Sequence, residues 1–496
     1  MSNNVNAWFI IIFSLLCLIT SVRYYYKDNF NLALFFIIIC GFALRVFISS
    51  DSFLHDWDEK YHALVAKNLI LNPLKPTLYL NPILPYDFTN WTSNHIWLHK
   101  QPMPLWLISL SLKTFGISEF AVRIPSILLS TICIWMTFFI ASTLLNKKVG
   151  VFAAFFMSIN GLVLELTGGR IATDHIDIAF LFFVELSIVF SILFSRNSKY
   201  LFNIFAGISI GAAILTKWLP ALIVLPLWFL LLFESKRFTF KTIIQHFSIL
   251  LFIISIVCVP WQLYIHSAFP KEAFWETSFN LRHFTEVIEN QSGSYLYFIN
   301  KIRINYGELI YLPLIWFLID LFKHPLHLKR TFLLVWFLIP LVFFSIAKTK
   351  MQAYLLFVSP AFFTIIADFC QFLIQQKKPK INWLLNFIVI LFLITSIRYC
   401  IERLKPFEIN NQKIVLSASI SKLKTQNFTS KDIVLNCNYP IETMFYTNLT
   451  AYKDLPDVKS IDELITKGYI VYINNHEKIP MEFEKIKGVK FINLGF

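Results

Sequence analysis

The chain has 496 residues, 56% of them hydrophobic and 17% aromatic, with only 15% charged and a mean hydropathy of +0.61. Soluble domains run at about 45–50% apolar and about 25% charged, so this composition excludes an ordinary soluble protein and places the chain in a bilayer. The net charge of +14 does not argue for a nucleic-acid partner, because basic residues in a chain with many spans first report its orientation.

Segments 7–22 and 30–49 open a series of twelve apolar runs, each long enough or nearly so to cross about 30 Å of hydrocarbon. The first lacks a basic leader and a small-residue cleavage site, so a retained span is expected there. The others are 121–144, 149–166, 177–195, 201–216, 218–233, 243–262, 305–322, 331–346, 353–373 and 381–400. Short basic turns separate alternate pairs: Arg23/Lys27, Lys147/Lys148, Arg196/Lys199, Lys236/Arg237/Lys241, Lys323/Lys329/Arg330 and Lys377/Lys378/Lys380. By the positive-inside rule these mark the cytoplasm. The opposite side then receives residues 50–104, a loop at about 263–304, the AKTK turn at 347–350 and the C-terminal tail. Residues 105–118 are apolar but short, and a helix lying in the interface keeps every later basic turn on one side. Seven scattered cysteines and no paired CxxC make neither a disulfide framework nor a zinc motif.

Residues 50–104 form the long polar stretch within this apolar series. They gather Asp56, Asp58 and Glu59 in four positions, then His62, and close on His99 and Lys100 among six prolines. Such a segment on a rigid scaffold reads as a working surface; the plainer alternative is a solvated loop with aromatics at the membrane interface. One carboxylate can take the proton of an attacking hydroxyl. Adjacent carboxylates also suit a divalent metal, with His99, His62 or Glu59 as ligands. Lys100, Lys348, Lys350 and Tyr354 fall on the outer face against the charge trend, as an anionic leaving group would require, or as snorkelling to headgroups would allow. Asp174, Asp177, Glu185 and Lys217 lie in or beside apolar runs, where an unpaired charge costs a few kcal/mol; Lys217 could pair with either aspartate. Arg170 and Glu165 flank the same end, and His266, Arg282 and His283 sit in the second outer loop, which could serve as a lid.

The tail, 404–496, shifts toward Lys, Asn, Asp and Glu. KIVLSASI, DIVLNCN and YIVYINN predict strands, and IETMFYT and SIDELITK predict short helices, hence a small α/β domain.

Six motifs in order, WDEKYHALVAKNL (57–69), HKQPMPLWLISLSLKTFGISEFAVRIPS (99–126), TDHIDIAF (173–180), LTKWLPALIVLP (215–226), VPWQLY (259–264) and AKTKMQAYLLFVSP (347–360), resemble the GT-C membrane glycosyltransferases. The resemblance is to the bacterial branch related to protein O-mannosyltransferases and lipid A aminoarabinose transferases. It implies an all-α polytopic bundle of about twelve membrane helices over 1–403, with 50–120 as the external catalytic loop and 404–496 as a small extracytoplasmic α/β domain. It also implies inverting transfer of a sugar from a polyprenyl-phosphate carrier to a lipid, glycan or protein acceptor, at the outer face of the bacterial inner membrane. The catalytic aspartate falls on Asp58. Substrate-binding roles fall on Lys100, Lys348, Lys350 and Tyr354, and an acid–lysine pair between helices on Asp174 and Lys217; Glu59 and His62, beside Asp58, are expected to bind substrate with them. Tyr61 stands where the aminoarabinose branch has an arginine, so carrier-phosphate binding must differ, and His99 stands where that branch has an acidic residue, so its metal site does not transfer directly; a divalent metal remains an open expectation. A transporter or lipid-linked sugar flippase is the competing class; such proteins often show repeated halves, and this chain has no evident repeat.

Overall fold

The computed structural model describes residues 2–324, 328–376, 382–423, 428–475 and 479–494. The basic turn Lys377/Lys378/Lys380 lies outside them. In chain order the main helices are α1 (Ser2–Tyr26), α2 (Phe30–Ile48), α3 (Asp58–Leu69), α4 (Pro102–Phe115), α5 (Glu119–Leu144), α6 (Lys147–Ile159), α7 (Gly161–Thr167), α8 (Asp174–Asn197) and α9 (Tyr200–Lys217). They continue with α10 (Val224–Ser235), α11 (Phe240–Ala268), α12 (Pro270–Thr285), α13 (Tyr297–Tyr306), α14 (Tyr311–Lys323), α15 (Leu328–Ile346), α16 (Ser359–Gln375) and α17 (Asn382–Leu404). The tail holds α18 (Asn411–Lys422), β1 (Asp432–Leu435), α19 (Pro440–Tyr446), β2 (Thr450–Ala451), α20 (Val458–Thr466), β3 (Ile470–Asn474), α21 (Met481–Glu484) and β4 (Lys490–Ile492).

Over their described residues the twelve apolar runs are mainly helical. Among the described residues nine helices are long and apolar enough to span a membrane, and two bent pairs raise this to eleven. The twelfth run, 218–233, falls on the shorter apolar helix Leu219–Ser235. The protein is a multi-span membrane protein. Its helix breaks have local causes. Asn160 ends α6 in an extended conformation and caps α7 by accepting from the Val163 amide at 3.1 Å, giving a 50° bend. Gly307, at φ +98°, allows the 117° turn after α13, a conformation an L side chain resists.

Two compact units organise the chain. The first comprises Met1–Ser49, Ser126–Gly169 and Thr173–Phe407. Its core includes the fully buried Trp228, Trp336, Phe180 and Phe362. Helices α9 and α11 approach closely because Gly207 and Gly211 lack side chains: a Cβ at Gly211 would lie 2.6 Å from Val257. Arg45, wholly buried in α2, donates to Ser130 Oγ at 2.9 Å and to the carbonyls of Gly41, Ser158 and Met157 at 2.9, 3.0 and 3.2 Å. These bonds meet the cost of a guanidinium away from water and tie three helices together.

The second unit comprises Ser50–Pro125, Arg170–Ala172 and Glu408–Phe496. This redraws the expected boundaries, which set 1–403 apart from 404–496. The polar segment and the tail share one core, in which Leu64, Leu69 and Trp97 cluster with Ile420, Val434 and Phe445. A four-stranded parallel sheet, in the order β2-β1-β3-β4, forms its α/β part. Alternation along β1 buries Val434 in that shared core and sends Ile433 and Leu435 into a second cluster with Ile461, Leu464 and Ile473. Both predicted helices and two of the three predicted strands form. KIVLSASI does not: it lies in helix α18, capped by Asn410, whose side chain accepts from Lys413 N at 3.1 Å. Its β-branched residues suggested a strand. The deciding pattern is Leu416, Ile420 and Leu423, spaced by four and three along one helical face packed on the core. Residues 105–115 lie in α4, and Gly116 ends it at φ +88°.

Lys67 of α3 joins the two parts of this unit. Its ammonium donates to the carbonyls of Met444, Phe445 and Thr447, at 2.7, 2.9 and 2.6 Å, around the end of α19. A cation there satisfies carbonyls that the helix leaves without amide partners. Lys67→Met keeps the stem and removes all three bonds. It is expected to cost about 1.5–3 kcal/mol, read as a lower thermal midpoint and faster proteolysis of the 408–496 region in detergent; an unchanged midpoint would refute the role.

Candidate active site

The polar segment reaches α3 through a strained turn. Trp57 has φ +65° and ψ −133°, a backbone conformation that glycine favours and tryptophan does not, and helix α3 starts at the next residue. No side chain caps this helix. Asp58 and Glu59 therefore occupy its first turn, where unpaired amides and the helix dipole favour negative charge.

The two acids point to different tasks. Glu59 is fully buried. Its oxygens accept from Arg123 Nε at 2.7 Å, Arg123 Nη2 at 2.9 Å, the His55 amide at 2.6 Å and His55 Nδ1 at 2.7 Å. Arg123, also fully buried, further donates to the carbonyls of Asp51 at 2.5 Å and Phe53 at 2.6 Å. His55 Nε2 lies 3.2 Å from Asp51 Oδ2, which Arg170 Nη2 approaches to 3.0 Å. Burial alone would raise the Asp51 carboxyl, but the His55 hydrogen bond and the guanidiniums of Arg170 and Arg123 outweigh it and hold it below the ordinary carboxylate range. Glu59, expected to touch substrate, is instead committed to this clamp, because an unpaired carboxylate at that depth would be prohibitive.

Asp58 is buried but within reach of Lys100, whose Nζ stands 3.8 Å from Asp58 Oδ2. His62, one helical turn beyond Asp58, is buried edge-to-face against Trp97, with ring centroids 5.8 Å apart. His99 stacks flat on Trp91 at 4.5 Å, and Tyr61 packs against the same indole at 4.9 Å. Lys413 of α18 pairs with Asp56 at 2.5 Å, and Lys60 pairs with Glu442 at 3.2 Å. Among the described residues no three His, Cys, Asp or Glu gather as a metal site.

The membrane unit holds a second group. Lys217 ends α9 and pairs with Asp177 in the first turn of α8, which also accepts from Thr173 Oγ1. The Lys217 ammonium lies over the Tyr354 ring, 4.9 Å from its centroid. The resemblance placed the acid of this pair on Asp174. The ion pair seen is with Asp177, one turn further on; Asp174 sits at the start of α8 with φ +25°, its Oδ1 accepting from the amide of His175. Trp218, directly after Lys217, repeats the strained geometry of Trp57 at φ +62° and ψ −148°.

Lys348 and Lys350 separate. Lys348 is exposed. Lys350 is buried, and its ammonium donates to the carbonyls of Ser345, at 3.0 Å, and Ala347 at the end of α15. Burial and then Lys348 pull the Lys350 ammonium below its ordinary value. A phosphate-binding role for Lys350 therefore gives way to a capping one. The backbone of this turn is joined to residues 283–291: Lys348 N donates to Phe284 O at 3.1 Å, Thr349 N to His283 O at 3.0 Å and Lys350 N to Gln291 O at 3.0 Å. Glu165 pairs with Arg403 at 2.5 Å. His55, Asp51 and Arg123 were not singled out by the sequence. Their signal was present only as an arginine in an apolar helix, which demands a partner.

A family model for dolichyl-phosphate-mannose-protein mannosyltransferases matches residues 99–264. An uncharacterized protein of Aquifex aeolicus is 28% identical over 353 residues, covering 69% of this chain and 65% of its own. The undecaprenyl phosphate-alpha-4-amino-4-deoxy-L-arabinose arabinosyl transferase 2 of Pseudomonas fluorescens is 28% identical over 289 residues, 54% of this chain and 49% of the relative. The matches thus span roughly half to two thirds of these relatives' length. Among solved structures, ArnT from Cupriavidus metallidurans in the apo state superposes with a TM-score of 0.60 at 14% identity, covering 88% of this chain and 92% of that one. The oligosaccharyltransferase AglB of Archaeoglobus fulgidus superposes with a TM-score of 0.55 at 11% identity, covering 85% and 64%. The fold is shared with both.

Two outcomes check the clamp. Arg123→Leu leaves Glu59 buried without its cation and is expected to destabilise the protein by about 3–5 kcal/mol; thermal unfolding in detergent would contradict this if the midpoint stayed within a degree of wild type. Asp51 has a lowered folded pKa, so its contribution is present above the ordinary value of 3.8 and fades as pH falls through the folded one. Asp51→Asn is expected to lower the midpoint at neutral pH and to narrow its gap from wild type at pH 3, and a gap constant with pH would count against the assignment.

Proposed function

We propose that this chain is a GT-C membrane glycosyltransferase of the aminoarabinose transferase and protein mannosyltransferase type, a reading its similarities support, and that it moves a sugar from a polyprenyl-phosphate carrier to an acceptor hydroxyl. The observation that carries the reading is the placement of Asp58, at the first turn of α3 with the Lys100 ammonium 3.8 Å away. Glu59, its neighbour, is held by Arg123, so the turn that presents Asp58 is rigid.

In this reading an Asp58 oxygen accepts the proton of the acceptor hydroxyl as that oxygen forms its bond to the anomeric carbon. The bond from the anomeric carbon to the carrier phosphate breaks on the opposite face, and its electron pair leaves with the phosphate, giving inversion. Phosphate is already a good leaving group, so the chain supplies charge rather than a general acid. Lys100 and Lys348 are the cations assigned to that phosphate, and Tyr354 is assigned a hydrogen bond to it. Lys348 suits the role because it is exposed and, among the described residues, its ammonium has no carboxylate in ion-pair reach. Lys217 and Asp177 position helices α8 and α9. The pattern of basic turns supports an active face outside the cytoplasm, in the bacterial inner membrane. The acceptor is a lipid, glycan or protein bearing a free hydroxyl.

Asp58→Asn is expected to abolish transfer while the protein inserts and unfolds as wild type does. The readout is mass spectrometry of surface glycans from cells lacking the chromosomal copy and supplied with either form; a normal glycan profile with Asp58→Asn would refute the assignment. Lys100→Ala and Lys348→Ala are expected to raise the KM for the carrier-linked donor by about tenfold or more, as loss of a charged hydrogen bond implies. Unchanged donor kinetics would remove that lysine from the phosphate site.

A further inference from the structure

Trp57 is held where tryptophan is costly to hold. Its backbone sits at φ +65° and ψ −133°, yet its side chain is 68% exposed and so repays little of that strain by burial. The surrounding contacts enforce the arrangement. Arg123 fixes the carbonyls of Asp51 and Phe53 before it, Lys413 ties down Asp56 at 2.5 Å, and Asp58 begins helix α3 after it. Strain kept by this many restraints at an exposed aromatic is explained by what the aromatic presents, since glycine there would be easier to fold.

We infer that the exposed indole of Trp57 is the platform on which a saccharide acceptor lays the apolar face of its ring, one residue from the carboxylate of Asp58. The flanking charges are already paired, Asp56 with Lys413 and Asp58 with Lys100, so the unsatisfied surface there is an uncharged plane. The face of an indole is electron-rich. The C–H bonds of a pyranose ring are positively polarised, and axial ones on alternate carbons project together from one face, while equatorial hydroxyls project around the rim. A ring stacked on Trp57 thus keeps hydroxyls free to reach an acceptor of protons beside it. This inference deepens the proposed function and rests on Asp58 as the base. It commits the acceptor to a glycan; a peptide acceptor and a purely membrane-anchoring indole are the rival outcomes.

The test titrates the detergent-solubilised full chain with methyl α-mannoside, methyl α-glucoside, methyl α-galactoside and a serine- and threonine-containing decapeptide by calorimetry. Wild type, Trp57→Phe, Trp57→Ala, Trp57→Gly and Asp58→Asn are compared, each with its thermal midpoint. Wild type is expected to bind at least one glycoside. Trp57→Ala should weaken that binding by about tenfold, the effect of losing one well-placed aromatic contact, and Trp57→Phe should keep it within about threefold. Trp57→Gly should lose the same affinity while its midpoint rises, a split that a structural role would not produce. Trp57-dependent glycoside binding supports the inference whether or not Asp58→Asn still transfers sugar, so failure of the base assignment is read separately. Glycoside affinity unchanged in Trp57→Ala, absence of glycoside binding to wild type up to tens of millimolar, or binding of the peptide alone would each overturn it.

Discussion

The geometry of the polar segment depends on one buried ion pair. Arg123 and Glu59 meet with neither side chain exposed, where an isolated charge of either kind would cost several kcal/mol. Neither can therefore change partner cheaply, and what each also holds becomes fixed. Arg123 holds the carbonyls of Asp51 and Phe53, and Glu59 holds the amide and ring of His55. Just beyond these anchors Trp57 takes its strained conformation. Asp58 follows directly, in the first turn of α3.

The same rule runs through the membrane unit with different partners. Lys217 is answered by Asp177, Arg403 by Glu165 and Arg45 by a set of neutral oxygens. Each joins helices that apolar packing alone would hold less specifically, because lipid is as apolar as leucine. Strained tryptophans stand next to charged residues in both units, Trp57 before Asp58 and Trp218 after Lys217. In each case the backbone departs from its easy conformations at the point where a helix begins or ends on a charge.

The tail takes part in the same organisation. Its helices and sheet supply Ile420, Val434 and Phe445 to a core shared with α3. Lys67, Lys60 and Lys413 then link residues more than three hundred positions apart in the chain. A module joined by both core and charge to the segment bearing Asp58 is part of the scaffold of that segment, not a loose appendage.

Much of this was legible before any coordinates. Apolar runs of about twenty residues must be helices in a bilayer, since no other spanning segment satisfies its own backbone, and over their described residues the twelve runs are mainly helical. A polar stretch carrying Asp58 and Lys100 among them stood out for the same reason, and the two groups do meet. What sequence could not decide was which of several like charges pairs with which. Glu59 and Asp58 are adjacent and chemically alike, yet one is sealed by Arg123 and the other faces Lys100. Lys348 stays exposed, whereas Lys350 is buried and turns back to cap a helix. Asp174 and Asp177 are one turn apart, and the partner of Lys217 followed from where α9 ends. Helix α18 was misread because a short β-branched run fits strand and helix alike until the face it buries is known. Residue type and spacing determine where charge must be compensated; only the packing of distant segments, by deciding which groups lose water, determines by what.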